Sequence, residues 1–316
     1  LTESLQFQRI GSIPTLPGYS LVTKSIANDQ TLLFLFVEQS GLAAITGAIQ
    51  QGSASFPKTR TDIASRWCLV TMTSGSSQVI DLGVLEAIFP RVDLFPDGRV
   101  LVVEPRCSWR SPNDYDLNCI VFDPRNGRST RILLGDGIGG ASVDALGRIW
   151  VGYVDEGIFG NCGWGGLGGP RPIGSAGLVC FSDTGEKIWE YPRDISHQIS
   201  DCYALNVSGA EATIFFYTDF PVCKIANDFT LQYWETDLHG CHQLAISETT
   251  VLFSAQYKDP GHVAYQGILA EGRIEQVRQI RLLMPDGSTL SDGQLKGRGK
   301  YLYLFDAPGV YRVGVD

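Results

Sequence analysis

Apolar residues in this chain fall into paired short runs separated by polar turns, and the pairs recur. Residues 92–104 (VDLFPDGRVLVVE) are the clearest case: a short run, an Asp97-Gly98 turn, and a second run that is continuously apolar. Two such runs around Asp-Gly read as a β-hairpin, because the favoured two-residue turn needs positive φ at both central positions. Residues 142–155 (SVDALGRIWVGYVD) repeat the spacing, and weaker copies lie at 25–38, 204–219, 243–259 and 294–306, six in all. A second hairpin follows each of the first five, at 66–83, 118–135, 177–192, 221–237 and 265–283. After the sixth copy comes a single run, 307–316.

Each repeat therefore holds four short strands, and four-stranded sheets repeated radially make a propeller. The fold expected is all-β: a six-bladed β-propeller of four-stranded antiparallel blades, formed as one domain over residues 1–316. The last blade lacks its outer strand and the N-terminus has a spare one, so residues 5–10 are expected to pair with 310–315 and close the ring. Closure would tie down both termini and cover exposed strand edges. Three insertions interrupt the spacing, at 41–65, 105–117 and 156–176. Seven blades is the alternative, if the first insertion holds two further hairpins. No stretch has sustained helical periodicity, although residues 84–88 could form one helical turn.

Composition narrows the function classes. The chain has 316 residues, 44% of them hydrophobic, and a formal net charge of −9. It can bury a large core, which excludes disorder. Binding to nucleic acid is not expected, because phosphate neutralisation needs clustered Lys and Arg. No membrane span is expected, since no apolar run approaches the roughly 20 residues required. None of the eight cysteines forms a CxxC pair, and Cys68, Cys119, Cys180 and Cys223 recur inside apolar strands, where cysteine acts as a small hydrophobe. Reduced thiols and a cytoplasmic setting are expected. A chain numbered from Leu1 leaves a secreted or periplasmic setting open if a leader was removed, and the sequon Asn206-Val207-Ser208 points the same way.

The stretches FPDGRVLVVE and VDALGRIWVG resemble the turn-and-strand signature of six-bladed propellers in the NHL-repeat, strictosidine-synthase-like and gluconolactonase-like group. GLVCFSDTGEKIWEY (177–191) is similar to the outer hairpins of quinoprotein-type propellers. The resemblance is one of architecture and spans the whole chain. It implies a propeller with a central channel, in which the gluconolactonase-like enzymes hold a divalent metal through a Glu and several Asn or Asp. Their Glu-Gly-Pro run is absent from the first two inner strands here.

In the expected strand order all three insertions join second to third strands and so share one face, which commonly marks the binding face of a repeat array. Three sets of candidate residues map there. Acids end each second strand: Glu38, Glu104, Asp155, Asp219, Asp259 and Asp306. They could ring the mouth for a metal or cationic ligand, or serve as turn formers before Pro and Gly. His239 and His242 travel with Asp201, Cys202 and Cys241 in the fourth and fifth blades, and imidazole, thiolate and carboxylate together could bind zinc or calcium. His242 or His197 could instead act as a general base. Lastly, Phe159 and Trp164 from the glycine-rich loop, with Trp109 and Tyr115, could form an aromatic platform beside Glu104 and Asp155, suited to a sugar, a cationic group or a peptide. No GxSxG nucleophile elbow is present.

These residues support a propeller that binds a small molecule, sugar, peptide or protein at its insertion-bearing face and channel mouth. The alternatives are a metal-dependent hydrolase of lactonase or esterase type, and a scaffold or sensor without a small-molecule site.

Overall fold

The computed structural model describes residues 3–45, 47–51, 54–254, 261–290 and 293–315. The fold is an all-β, six-bladed propeller of antiparallel four-stranded blades, which follow one another in sequence. Two compact units hold three blades each: residues 14–193 form one, and residues 1–13 with 194–316 form the other.

In the unit of residues 14–193, the first blade runs Tyr19–Ile26, Leu32–Glu38, Ser65–Met72 and Ser77–Leu85. The second runs Arg91–Leu94, Val100–Val103, Cys119–Asp123 and Arg128–Ile132. The third runs Ile138–Val143, Ile149–Tyr153, Leu178–Phe181 and Lys187–Glu190. Burial explains the sequence pattern. The second strands are buried on both faces: Leu32 to Val37, Val100 to Val103 and Ile149 to Tyr153 are all below one-tenth exposed. A strand with no solvent face has nothing to alternate for, hence its unbroken apolar run. The fourth strands face water and do alternate in part, as in Ser77–Leu85. Inner strands are tied by buried carboxylates as well as by packing. Asp93 of the second blade accepts a hydrogen bond from the Val143 amide of the third at 2.8 Å. Asp144 accepts bonds from the Arg148 guanidinium and the Trp150 indole.

The hairpin turns differ from the expected form. Asp97 is not left-handed; only Gly98 is, at φ 87°, and the turn closes through Gly98 N–H to Phe95 C=O and Phe95 N–H to Arg99 C=O. This is a three-residue connection, a type I turn with Pro96 at its second position followed by a left-handed Gly. Residues 144–148 repeat it, with Gly147 at φ 79°. The first insertion, which the seven-blade alternative would fill with two further hairpins, contains a short 3₁₀ turn, Gln39–Ala44, and a separate two-stranded hairpin, Ala48–Gln51 with Ala54–Pro57. Residues 84–88 form no helical turn, because the fourth strand of the first blade runs on to Leu85. The α-helix among the described residues is instead a single turn, Asp155–Phe159, with Asp155 and Glu156 at its N-terminus.

The other unit carries the fourth blade (Asp201–Ser208, Glu211–Tyr217, Val222–Ile225, Leu231–Trp234), the fifth (Leu244–Ile246, Thr250–Ser254, Val263–Leu269, Ile274–Leu283) and the sixth (Gln294–Arg298, Tyr301–Asp306, Gly309–Gly314). The buried carboxamide of Asn206 joins all three inner strands. It donates to Leu244 C=O at 2.8 Å and Gly299 C=O at 2.9 Å, and accepts from Gly299 N–H at 2.7 Å.

The N-terminal strand completes the sixth blade as expected, but it serves two sheets rather than one. Gln8–Ser12 pairs antiparallel with Gly309–Gly314, with Gln8 opposite Arg312 and Gly11 opposite Val310. Ser4–Gln6 adds to the fifth blade as a parallel strand beside Arg281 to Leu283. Phe7, between the two, is 1% exposed and packs in the core that also holds Leu282, Leu302 and Val313. Its amide donates to Leu283 C=O at 2.8 Å. Phe7→Ala is expected to cost about 3 kcal/mol in urea unfolding, as buried aromatic truncations do. It should also speed hydrogen exchange at Val310 and Tyr311 more than at strands of the fourth blade.

Candidate functional site

The three insertions all belong to the unit of residues 14–193, and they are knitted to one another. Thr59 and Ser108 share a hydroxyl–hydroxyl bond of 2.9 Å. Trp109 N–H donates to Cys162 C=O, and the Trp164 indole N–H to Cys107 C=O, each at 2.9 Å. Gly163 sits where a Cβ would come within 1.9 Å of the Trp109 carbonyl, so only glycine lets these two loops meet. Arg106 is the electrostatic centre. Its guanidinium reaches both oxygens of Asp136 at 3.0 and 3.1 Å, Glu156 at 2.7 Å and the Cys162 sulfur at 3.3 Å. Asp136 is buried, and burial raises its pKa against the pull of Arg106.

The expected aromatic platform is divided by this arrangement. Trp164 is 6% exposed and locked in the loop assembly. Phe159 stands 67% exposed at the end of the helical turn, while half-buried Trp109 pairs across a two-stranded ribbon with Tyr115, which is 41% exposed. Asp155 sits exposed at the helix start, accepting from Glu156 N–H. Glu104 is buried. It accepts from Ile88 N–H at 2.9 Å and lies 3.3 Å from Arg131, and burial pushes its pKa up to about 7. The other strand-ending acids have individual tasks or lie open: Glu38 accepts from the Arg66 amide, and Asp219 is exposed. Asp259 lies outside the described residues.

The histidines belong to the other unit, and two of them meet. His242 stacks on Tyr203 with ring centres 5.1 Å apart and planes 20° from parallel. Tyr203 packs edge-on against Phe220 at 5.2 Å, and Phe220 receives His239 at 5.1 Å and Tyr217 at 5.5 Å. Phe220 is 7% exposed, while Tyr217, His239 and His242 are exposed around it. The result is an open aromatic patch where the second strand of the fourth blade ends and the connection into the fifth begins. Two consecutive left-handed residues, Asp219 at φ 66° and Phe220 at φ 55°, turn the chain there. Non-glycine residues adopt that conformation at a cost, and such strain concentrates at functional sites. Partial burial lowers the His242 pKa, so its imidazole is neutral at pH 7.

The remaining metal and base candidates have other surroundings, though Asp201, Cys202 and Cys241 border the patch. His197 packs against Tyr233 with centres 4.8 Å apart and planes tilted by 32°. Cys202 and Cys241 are buried; their sulfurs lie 3.8 Å from the carbonyls of Ala204 and His239, and burial raises the Cys202 pKa so that its thiol stays protonated. Asp201 opens the first strand of the fourth blade opposite Tyr217. Among the described residues, no three His, Cys, Asp or Glu side chains gather as metal ligands. No disulfide joins the cysteines. Sequence reasoning passed over Tyr217, Phe220 and Arg106. Tyr217 ends the apolar run at 211–217 and Phe220 follows it, with Asp219, the acid that sequence singles out, between them.

Solved structures similar to this chain are propellers of low identity. Virginiamycin B lyase from Staphylococcus aureus is 7% identical with a TM-score of 0.48, covering 98% of this chain and 99% of that one. A protein of unknown function from Dyadobacter fermentans is 12% identical with a TM-score of 0.47, covering 98% and 99%. Hsv2 from Kluyveromyces lactis is 9% identical with a TM-score of 0.46, covering 90% and 70%. No curated protein matches the sequence. A family model described as the YxzG family matches residues 174–313, which take in the outer half of the third blade and the fourth to sixth blades.

Two variants test the buried charges. Glu104 has a folded pKa above the ordinary 4.5, so the stability tied to its neutral form is full below pH 4.5 and lost as pH rises through about 7. Glu104→Gln should therefore unfold at higher urea than the parent at pH 9, by on the order of 3 kcal/mol, with the gap closing by pH 5. Arg106→Met leaves Asp136 without its guanidinium. It should cost about 3 kcal/mol and raise hydrogen exchange at the Trp109 and Trp164 amides, with the strands of the third blade much less affected.

Proposed function

We propose that this propeller is a binding module, and that the patch of Tyr203, Tyr217, Phe220, His239 and His242 takes a small ligand with a flat apolar face, such as a sugar ring or an aromatic side chain of a peptide. The observation that carries this reading is the stacked His242–Tyr203 pair beside exposed Tyr217 and His239, on a backbone turned by two left-handed residues. Exposed stacked rings give contact area at little entropic cost, and each hydroxyl or ring nitrogen adds a directional hydrogen bond. A neutral imidazole suits the stacking role and can also accept a hydrogen bond from a sugar hydroxyl or peptide N–H.

Screening a glycan and peptide panel, followed by titration of the best ligand, tests the proposal. Tyr203→Ala should weaken binding about tenfold or more, the usual range for an aromatic anchor. Phe159→Ser, on the insertions of the other unit, should leave it unchanged. Affinity should also fall as pH drops through the His242 pKa, which lies below its ordinary 6.5. A ligand that responds to Phe159→Ser or Tyr115→Ala but not to Tyr203→Ala would move the site to the insertions. Turnover of an ester or lactone lost in His242→Ala would replace the binding reading with a hydrolase.

A further inference from the structure

The inner strand of the second blade begins with Arg91, half-buried and opposite Val103 of the second strand. Among the described residues it is the one lysine or arginine whose side chain is neither exposed nor engaged by a hydrogen bond, an ion pair or a ring. By contrast, half-buried Arg99 pairs with Asp97 and Asp183, Arg106 with Asp136 and Glu156, and Arg148 with Asp144. Burial lowers the Arg91 pKa, with no carboxylate acting the other way. A desolvated guanidinium without a counter-charge weakens the fold, unless something it binds brings the missing charge.

The strand decides where the guanidinium points. Side chains alternate along it, so Val92 and Leu94 share one side and Arg91 and Asp93 the other. Val92 and Leu94 pack in the core shared with the first blade, with Ala27 and Leu33. Asp93 reaches the third blade, where it accepts from the Val143 amide. Arg91 therefore faces the third blade as well, two residues or about 7 Å before that contact. First strands of successive blades run in the same direction, so the stretch beside Arg91 is Gly139-Gly140-Ala141-Ser142. All four are partly exposed, none is charged and none is larger than serine, so they keep the flank of the strand open. The two nearest acids are occupied. Asp93 accepts from the Leu94 and Val143 amides, and Glu104, on the other side of its own strand, from Ile88 N–H and Arg131. The backbone that carries Arg91 is fixed in advance: Phe89 is left-handed at φ 48° and its amide donates to Ile45 C=O.

We propose that Arg91 anchors an anion site between the inner strands of the second and third blades, and that its ligand is a small molecule bearing a single carboxylate. A planar guanidinium offers two parallel N–H donors that fit the two oxygens of a carboxylate. One cation among neutral side chains balances one negative charge, whereas a phosphate dianion would bring a second with nothing to meet it. The site belongs to residues 14–193 and does not depend on the aromatic patch.

The test is an amide NMR titration of the full chain with sodium acetate, against sodium chloride at matched ionic strength. Saturable shifts are expected at Arg91, Gly139, Gly140 and Ala141. Arg91→Met should weaken the affinity about tenfold or more. Arg91→Lys, which keeps the charge and loses the planar fork, should weaken it severalfold. Thermal unfolding gives a second readout. Without acetate, Arg91→Met should raise the midpoint, because an unmatched desolvated charge is removed. Acetate should then raise the midpoint of the parent and not that of Arg91→Met. Arg171→Gln, at an exposed arginine of the glycine-rich loop, should leave both readouts unchanged, as should Tyr203→Ala the acetate shifts. Shifts no larger than with chloride, equal affinity in Arg91→Met and the parent, or a midpoint lowered by Arg91→Met without acetate would overturn the inference. Inorganic phosphate binding more tightly than acetate would overturn it too, since the site would then be built for more than one charge.

Discussion

Burial of each blade's second strand on both faces is the constraint from which the rest follows. Strands such as Leu32–Glu38 and Val100–Val103 offer water neither face, so each blade needs a neighbour on either side. Each buried Leu, Val or Phe adds roughly 1.5–3 kcal/mol of burial free energy. A lone blade would leave half of that surface wet, and its edges would template further pairing. The polar ties between inner strands, Asp93 to Val143 and Asn206 to Leu244 and Gly299, then set the register in which apolar surfaces meet. Packing drives association, while hydrogen bonds that would be costly to leave unmade select one alignment.

Such a frame leaves little room for chemistry inside a blade, and the polar and aromatic features gather in the connections. The two units use them differently. Residues 14–193 spend three insertions on a charged, hydrogen-bonded assembly centred on Arg106, whose outer rim is Phe159, Trp109 and Tyr115. The other unit has no insertion of that kind among its described residues, and gathers rings from short connections instead. The first arrangement makes a rigid cover; the second leaves side-chain faces open.

Much of the fold was legible because its main signal is local. Doubly buried strands write themselves as unbroken apolar runs, and the recurring turn and spacing mark the blades. The turn type was misjudged because Asp97-Gly98 looks the same in a two-residue and a three-residue connection; Pro96 at the second turn position was the deciding cue. The site was less legible. His239 and His242 were recognisable as neighbours, but what surrounds them depends on Phe220 turning through a left-handed pair, which no spacing rule announces. The cysteines beside them looked like ligands until burial placed both inside the core. Trp164 was misread for a related reason: an indole in a glycine-rich loop gives no sign of whether its N–H meets water or, as here, the carbonyl of Cys107.

The seam between the N-terminal strand and the sixth blade has a consequence for how the chain is made. Phe7 and Gln8–Ser12 are translated about 300 residues before their partners, Gly309–Gly314. Until Gly309–Gly314 is made this segment waits as an unpaired strand with an apolar anchor, while residues 14–193 can complete their three blades. The pairing of Gln8–Ser12 with Gly309–Gly314 then comes late in the assembly of this propeller, a contact of very large separation in sequence, which the entropy of loop closure makes slow to form. Nascent chains stalled before residue 309 would carry that strand bare, and they are the species a chaperone would have most reason to hold.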